Sequence, residues 1–277
     1  MKFMESKKLA ARIGIITTII TLAGMAILWL FVSTNAASVV KNDITNQMTD
    51  AVESRASIID AYVLSAEEYM TAFALGGEVR ALLLNPDDPE LLAQAQKYTE
   101  DFAAVKGGFE CLYIATPETH VLTHTSQGAI GMTTRSGDSL KTFQNTILAR
   151  QELTNSGIMQ SPGTGSMILS MYYPIFEDQR CIGYVGAGVY ASHLMDSLLN
   201  LNIKGLPDSE YVFLNVETGV YLYHEDENLL NTSTTESGYL EILRRIQEDG
   251  GTQANTYSYR DEAGVRQLVV YKYLRDR

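Results

Sequence analysis

Ser166-Met-Ile-Leu-Ser-Met-Tyr-Tyr-Pro-Ile-Phe176, Glu177-Asp-Gln179 and Arg180-Cys-Ile-Gly-Tyr-Val-Gly-Ala-Gly-Val-Tyr190 form the stretch that decides the fold class. Two long runs rich in β-branched and aromatic residues flank a short polar turn, the pattern of a β-hairpin. Working outward, the strand-like period begins at Gly107. Residues 109–115 and 120–125 read as strands joined at Thr116-Pro-Glu-Thr119. Residues 139–149 read as a helix and 192–201 as a shorter one. Gly205-Leu-Pro-Asp208 marks a boundary.

Beyond that boundary the pattern recurs. Glu110-Cys-Leu-Tyr-Ile matches Glu210-Tyr-Val-Phe-Leu at an offset of 100, Glu118-Thr-His-Val matches Glu217-Thr-Gly-Val at 99, and His124 matches His224 at 100. A helix at 238–248 follows, then a hairpin of 252–259 and 265–274 turning at Arg260-Asp-Glu-Ala-Gly264. Order and spacing agree along both copies, which predicts a duplicated α/β module.

At the other end, residues 13–32 are uncharged and apolar, preceded by Lys2, Lys7, Lys8 and Arg12. Twenty helical residues span roughly 30 Å, the thickness of a bilayer's hydrocarbon core. The run is longer than the core of a cleaved signal peptide, and Trp29 and Phe31 stand where interfacial aromatics belong. The expectation is an uncleaved plasma-membrane anchor, with residues 1–12 cytoplasmic and the rest outside. From Lys41 to about residue 84 the sequence reads as one long helix. Met48, Val52, Arg55, Ile59, Tyr62, Ala66, Tyr69 and Phe73 form a heptad seam with a defect at Arg55. Such a stripe either pairs with a second copy, giving a homodimer through this helix, or packs on its own domain. Asn85-Pro-Asp-Asp-Pro89 breaks the helix, and 90–106 reads as another. The predicted organisation is 1–12 cytoplasmic, 13–32 transmembrane, 33–106 stalk helices, 107–204 one module and 205–277 a second, incomplete one.

Outside the membrane remain 17 basic and 32 acidic residues, a net of −15. That balance excludes nucleic acid and docking on anionic lipid. Cys111 and Cys181 both sit in strand-like segments. They read as a disulfide or as two buried thiols, and are too few for a disulfide framework or a four-thiolate metal site. No catalytic signature appears, and neither a metal nor a cofactor is expected. His120 and His124 lie about 13 Å apart along a strand, too far to share one metal ion. Gly183, Gly186 and Gly188 lie inside a strand, not between strand and helix where a phosphate loop belongs. They read as sites of close backbone approach, or as room for a ligand.

Several segments, taken in order, carry a family resemblance. They are Phe109-Glu-Cys-Leu-Tyr-Ile-Ala, His120-Val-Leu-Thr-His-Thr, Ile130-Gly-Met-Thr-Thr-Arg-Ser-Gly-Asp-Ser-Leu, Gly157-Ile-Met-Gln-Ser-Pro-Gly-Thr-Gly, Met171-Tyr-Tyr-Pro-Ile-Phe and Ile182-Gly-Tyr-Val-Gly-Ala-Gly-Val-Tyr. Behind an anchor and a long helix, this order resembles the double Cache sensor regions of bacterial methyl-accepting chemotaxis receptors. The resemblance implies an α+β fold: a transmembrane helix continuing into a long helix, then two tandem PAS-like modules with antiparallel sheets. It also implies that a last strand, a second membrane helix and an output domain follow beyond Arg277.

Function follows from the same resemblance: a non-enzymatic sensor whose membrane-distal module, 107–190, binds a small ligand. The binding segment is 131–140, helped by Tyr113, by 161–164 including Ser161, and by Tyr172. Arg135 is the guanidinium suited to a carboxylate, Asp138 suits an ammonium or hydroxyl, and Tyr113 and Tyr172 suit aromatic walls. Arg135 and Asp138 read equally as a local ion pair on a surface loop. Amino-acid-binding members carry Arg-x-Trp-Tyr here, where this chain has Arg135-Ser-Gly-Asp-Ser-Leu. The ligand expected is therefore a small carboxylate or another polar metabolite. The rivals are the sensor of a diguanylate cyclase or histidine kinase, a membrane-anchored exported enzyme, and a purely structural anchor protein.

Overall fold

The computed structural model describes residues 2–161, 163–192, 194, 198, 209–261 and 263–274. The chain divides into two units, residues 1–50 and 51–277. The first is helical: α1 (Lys2–Ala74) begins there, and its side chains from 14 to 36 are exposed all round wherever they are described. A helix apolar on every face has no single side to bury in a soluble core. This one is long and apolar enough to cross a membrane.

The second unit contains the rest of α1, then α2 (Gly77–Leu84) and α3 (Pro89–Lys106). Asp88 caps α3 by accepting the Glu90 and Leu91 amides, with Pro89 in the first turn. Next come β1 (Phe109–Ala115), β2 (Val121–His124), α4 (Gly137–Phe143) running into a π-helical turn (Gln144–Leu148), β3 (Thr154–Gln160), β4 (Met167–Glu177) and β5 (Arg180–Tyr190). They form one antiparallel sheet in the order β2-β1-β5-β4-β3. The hairpin read from sequence is β4–β5, with Glu177 opposite Arg180 and Ile168 opposite Tyr190. Asp178 and Gln179 take φ of 45° and 67°, the left-handed pair that suits a two-residue hairpin turn.

One expectation for the stalk is corrected. The helix expected to run unbroken to about residue 84 stops at Ala74. The Tyr98 ring stacks on Phe73 at 5.1 Å and lies so near Gly76 that a Cβ there would be 2.6 Å from its hydroxyl. Of the two readings of the heptad seam, the structure shows packing on its own domain. Ile59, Ala66 and Phe73, with Val63 and Met70, are buried against Leu112, Ile114, Leu169, Met171, Val185 and Ala187 of the sheet. Arg55, the defect, is 6% exposed and lies 4.6 Å over the Tyr211 ring. Tyr62 donates to the Tyr190 carbonyl. The period of a stripe fixes its spacing and leaves its partner open.

The sheet has two working faces because side chains alternate along a strand. Leu112, Ile114, Leu169, Met171, Val185, Ala187 and Val189 turn to the helices. Tyr113, Ser170, Tyr172, Tyr184, Gly186 and Gly188 turn the other way, towards α4.

The second copy comprises β6 (Phe213–Leu214), β7 (Tyr221–Tyr223), α5 (Ser237–Asp249), β8 (Asn255–Arg260) and β9 (Arg266–Tyr271). Its hydrogen bonds repeat those of the first copy at an offset of 100, which corrects the offset of 99 expected at the turn: Thr119 corresponds to Gly219 and Val121 to Tyr221, not to Thr218 and Val220. Val121 N–H donates to Met132 C=O, and Tyr221 N–H to Thr232 C=O, each at 2.9 Å. The Ser126 amide donates to His124 Nδ1 at 2.7 Å, and the Asp226 amide to His224 Nδ1 at 2.9 Å. By element order β8–β9 corresponds to β3–β4, not to the β4–β5 hairpin. Among the described residues no strand joins β6–β7 to β8–β9 as β5 joins the two pairs in the first copy. Most of the expected helix at 192–201, all of 205–208 and the division at 204/205 lie outside the described residues.

Candidate ligand-binding face

α4 and its π turn cover the second face of the five-stranded sheet. Phe143 and Leu148 reach down onto Ala115 and Tyr184, with Tyr113, Ile147, Tyr172 and Cys181 around them. Phe143 meets Tyr172 at 5.0 Å and Tyr184 at 5.2 Å, both edge-on, the geometry ring quadrupoles favour. Tyr113 stacks on His124 at 5.4 Å and meets Tyr184 edge-on at 6.0 Å. Gly186, in register between Tyr113 and Tyr172, makes this possible. A Cβ there would stand 2.2 Å from the Tyr113 ring.

Arg135 comes to this face from the loop before α4. The loop is pinned by backbone bonds from Gly131 N–H to Val121 C=O (2.9 Å) and from Thr134 N–H to Thr119 C=O (3.0 Å). The guanidinium lies 3.9 Å from the centre of the Phe143 ring, and its Nη2 donates to the Tyr172 hydroxyl at 3.1 Å. Among the described residues no carboxylate pairs with it. Tyr184 is fully buried, and burial pushes its pKa up to about 12. Thr134 and Tyr113 approach the hydroxyl closely enough to oppose that rise, yet neither meets it in full hydrogen-bond geometry. A buried hydroxyl left in that state costs about 1–3 kcal/mol, which a polar ligand atom would recover.

An acidic group lies further along the same face. A bulge between Phe109 and Cys111 sets Glu110 beside Gly188, where a Cβ would be 3.0 Å from Glu110 Oε2. Glu110 Oε1 accepts from Ser161 Oγ at 2.7 Å and Thr164 Oγ1 at 3.0 Å. Burial works against its charge, but the hydrogen bonds of Ser161, Cys111 and Thr164 prevail and hold its pKa below the usual carboxylate value. Among the described residues no lysine or arginine pairs with it. Burial, then Glu110, pushes the Cys111 thiol up to about 12.

The structure thus brings Tyr113, Arg135 and Tyr172 together around Tyr184 and Phe143. Ser161, 5% exposed, instead holds Glu110. Asp138 does not join them: its side chain is 98% exposed and pairs with Lys141 at 3.4 Å. Tyr184, Phe143 and Glu110 were missed as site residues, although Gly186 and Gly188 flagged a crowded face. Cys111 is opposite Gly188 and Cys181 opposite Phe176, so seven residues of β5, roughly 23 Å, separate them and both are free.

No protein-family model and no curated protein matches the sequence. Solved structures do. The sensory domain of the Campylobacter jejuni chemoreceptor Tlp3 with isoleucine bound superposes with a TM-score of 0.57 at 14% identity, over 84% of this chain and 88% of that one. The sensor domain of the Vibrio cholerae histidine kinase DctB gives 0.59 at 13%, over 80% and 87%. This chain has the fold of receptor sensor domains. The ligand-binding domain of the Pseudomonas fluorescens chemoreceptor CtaA, in complex with L-alanine, gives 0.50 at 15%, over 81% and 88%. The sensor-domain fold agrees with the double Cache resemblance of the sequence and with its α+β class.

Proposed function

We propose that this chain is the extracytoplasmic small-ligand sensor of a membrane receptor, of the chemotaxis type, with residues 107–204 as the binding module and 205–277 as a second module nearer the membrane. The observation that carries the reading is Arg135, held by Phe143 and Tyr172 with no acidic partner among the described residues, beside the buried, unpartnered Tyr184 hydroxyl. A ligand carboxylate would complete the first and a ligand polar atom the second. Glu110 offers an ionised acceptor to a ligand ammonium. Isoleucine in Tlp3 and L-alanine in CtaA make zwitterions the first compounds to try.

The apolar run of α1 would anchor the receptor. A second copy would meet the outward stripe Ser57, Ala61, Leu64 and Glu68, which is exposed, and not the buried seam. Likeness to DctB keeps one alternative, the sensor of a histidine kinase.

The test is calorimetry and thermal melting of the full chain in nanodiscs with L-alanine, L-isoleucine, succinate and putrescine. A ligand at a hundred times its dissociation constant adds about 2.7 kcal/mol of stability. Loss of that gain in Arg135→Ala is expected. Binding unchanged in that variant would reject the site.

A further inference from the structure

Thr119 adopts φ of 62°, and among the described residues it is the only β-branched side chain at positive φ. For such a residue this is a true outlier. The turn itself demands the conformation, because the second copy adopts it too. There, at an offset of 100, stands Gly219 with φ of 68°, and Thr234 N–H donates to its carbonyl at 2.8 Å as Thr134 N–H does to Thr119 at 3.0 Å. Glycine meets the demand without strain. The first copy keeps threonine, fully buried.

What threonine adds is one hydroxyl. Thr119 Oγ1 accepts the Arg135 N–H at 3.0 Å and donates to the Arg135 carbonyl at 3.4 Å, clasping both backbone groups of that residue. In the second copy the residue at the place of Arg135 is Thr235, which carries no guanidinium to aim. Strain and hydroxyl therefore occur in the copy that has an arginine to place.

We infer that Thr119 is a positioning residue: its hydroxyl fixes the backbone of Arg135 so that the guanidinium lies on Phe143 and reaches Tyr172. The inference rests on reading Arg135 as the ligand's anchor. It also says why a strained residue persists where glycine would serve the turn.

The experiment compares the full chain in nanodiscs, ¹⁵N-labelled on arginine, with Thr119→Gly and Thr119→Ser; Arg135→Ala assigns the signal. The readout is the Arg135 Nε–Hε resonance, which the Phe143 ring current displaces, together with the melting temperature. Thr119→Gly trades relief of strain against the lost hydroxyl bonds and is expected to melt close to the parent, while its Arg135 resonance moves to the position of a solvent-exposed arginine. Thr119→Ser keeps the hydroxyl and is expected to keep the displaced resonance. For a binding probe such as L-isoleucine, Thr119→Gly should weaken affinity about two- to tenfold, the worth of one hydrogen bond. A resonance unmoved in Thr119→Gly, or lost equally in Thr119→Ser, overturns the inference. Neither outcome touches the anchor reading, which fails separately if Arg135→Ala binds the probe like the parent.

Discussion

Replacing Gly186 by alanine sets a methyl group where the Tyr113 ring already lies. The new carbon would be 2.2 Å from the ring Cζ, 2.4 Å from the hydroxyl and 2.6 Å from Cε1. Strand β5 cannot retreat, because Gly186 is in register with Tyr113 on one side and Tyr172 on the other. The ring must swing out, losing its stack on His124 and its edge contact with Tyr184. Two aromatic contacts at about 0.5–1.5 kcal/mol each, with an overpacking cost of about 1–3 kcal/mol, outweigh the 0.5–1 kcal/mol or so that alanine gains over glycine in a strand. The net is about 1–5 kcal/mol, or a melting temperature lower by roughly 2–20 °C for a unit of this size. The assay is a double-mutant cycle with Tyr113→Ala. Once the ring is gone, Gly186→Ala should cost almost nothing, giving a coupling of at least about 1 kcal/mol. Additive effects, within about 0.5 kcal/mol, would refute the packing argument.

Three further outcomes follow from the same geometry. Tyr184→Phe deletes the unpartnered buried hydroxyl, so the ligand-free protein should melt at the same temperature or slightly higher, while ligand-induced stabilisation shrinks; a large drop in melting temperature would show that the hydroxyl is satisfied after all. Ile59→Asp should abolish cooperative melting because the seam is internal, whereas Leu64→Asp, at an exposed site, should fold and sediment as a monomer; a folded Ile59→Asp would contradict the packing of α1. His124 has a pKa lowered by burial, against the opposing pull of Glu110. Its share of stability is therefore present above the unfolded value of about 6.5 and is lost as pH falls through the lower folded value. His124→Asn keeps an acceptor for the Ser126 amide without titrating, so its melting temperature should fall less between pH 7 and pH 5; identical slopes would dismiss the histidine's part.

Legibility in the sequence tracked how local each signal was. The apolar run, the hairpin and the duplication are written in consecutive residues, and the structure repeats the duplication bond for bond at Val121 and Tyr221. Strand β3 was not visible because Asn155, Ser156 and Gly157 interrupt it. Asn155 bonds Glu67 of α1 at 3.2 Å, and the register slips between Asn155 and Ile158. Glu110 was seen only as a marker of the repeat, since nothing in a sequence announces the bulge that sets it beside Gly188. Asp138 shares a loop with Arg135, but one begins a helix in solvent while the other is clasped by Thr119.

The polar clasp between α3 and β2 bears on how the sheet ends. Gln96 donates to the His124 carbonyl at 2.9 Å and accepts the His124 amide at 3.0 Å. One primary amide thus answers the backbone of an edge residue as a neighbouring strand would. Beside it, the Thr99 and Thr123 hydroxyls meet at 2.9 Å in a buried contact. Exposed strand edges invite pairing with other chains and are the common start of aggregation. At β2 that template is already occupied by a side chain, so the sheet carries its own stopper at this edge. At the far edge, the bulge and Gly157 at φ of 80° break the regular ladder that an incoming strand would need.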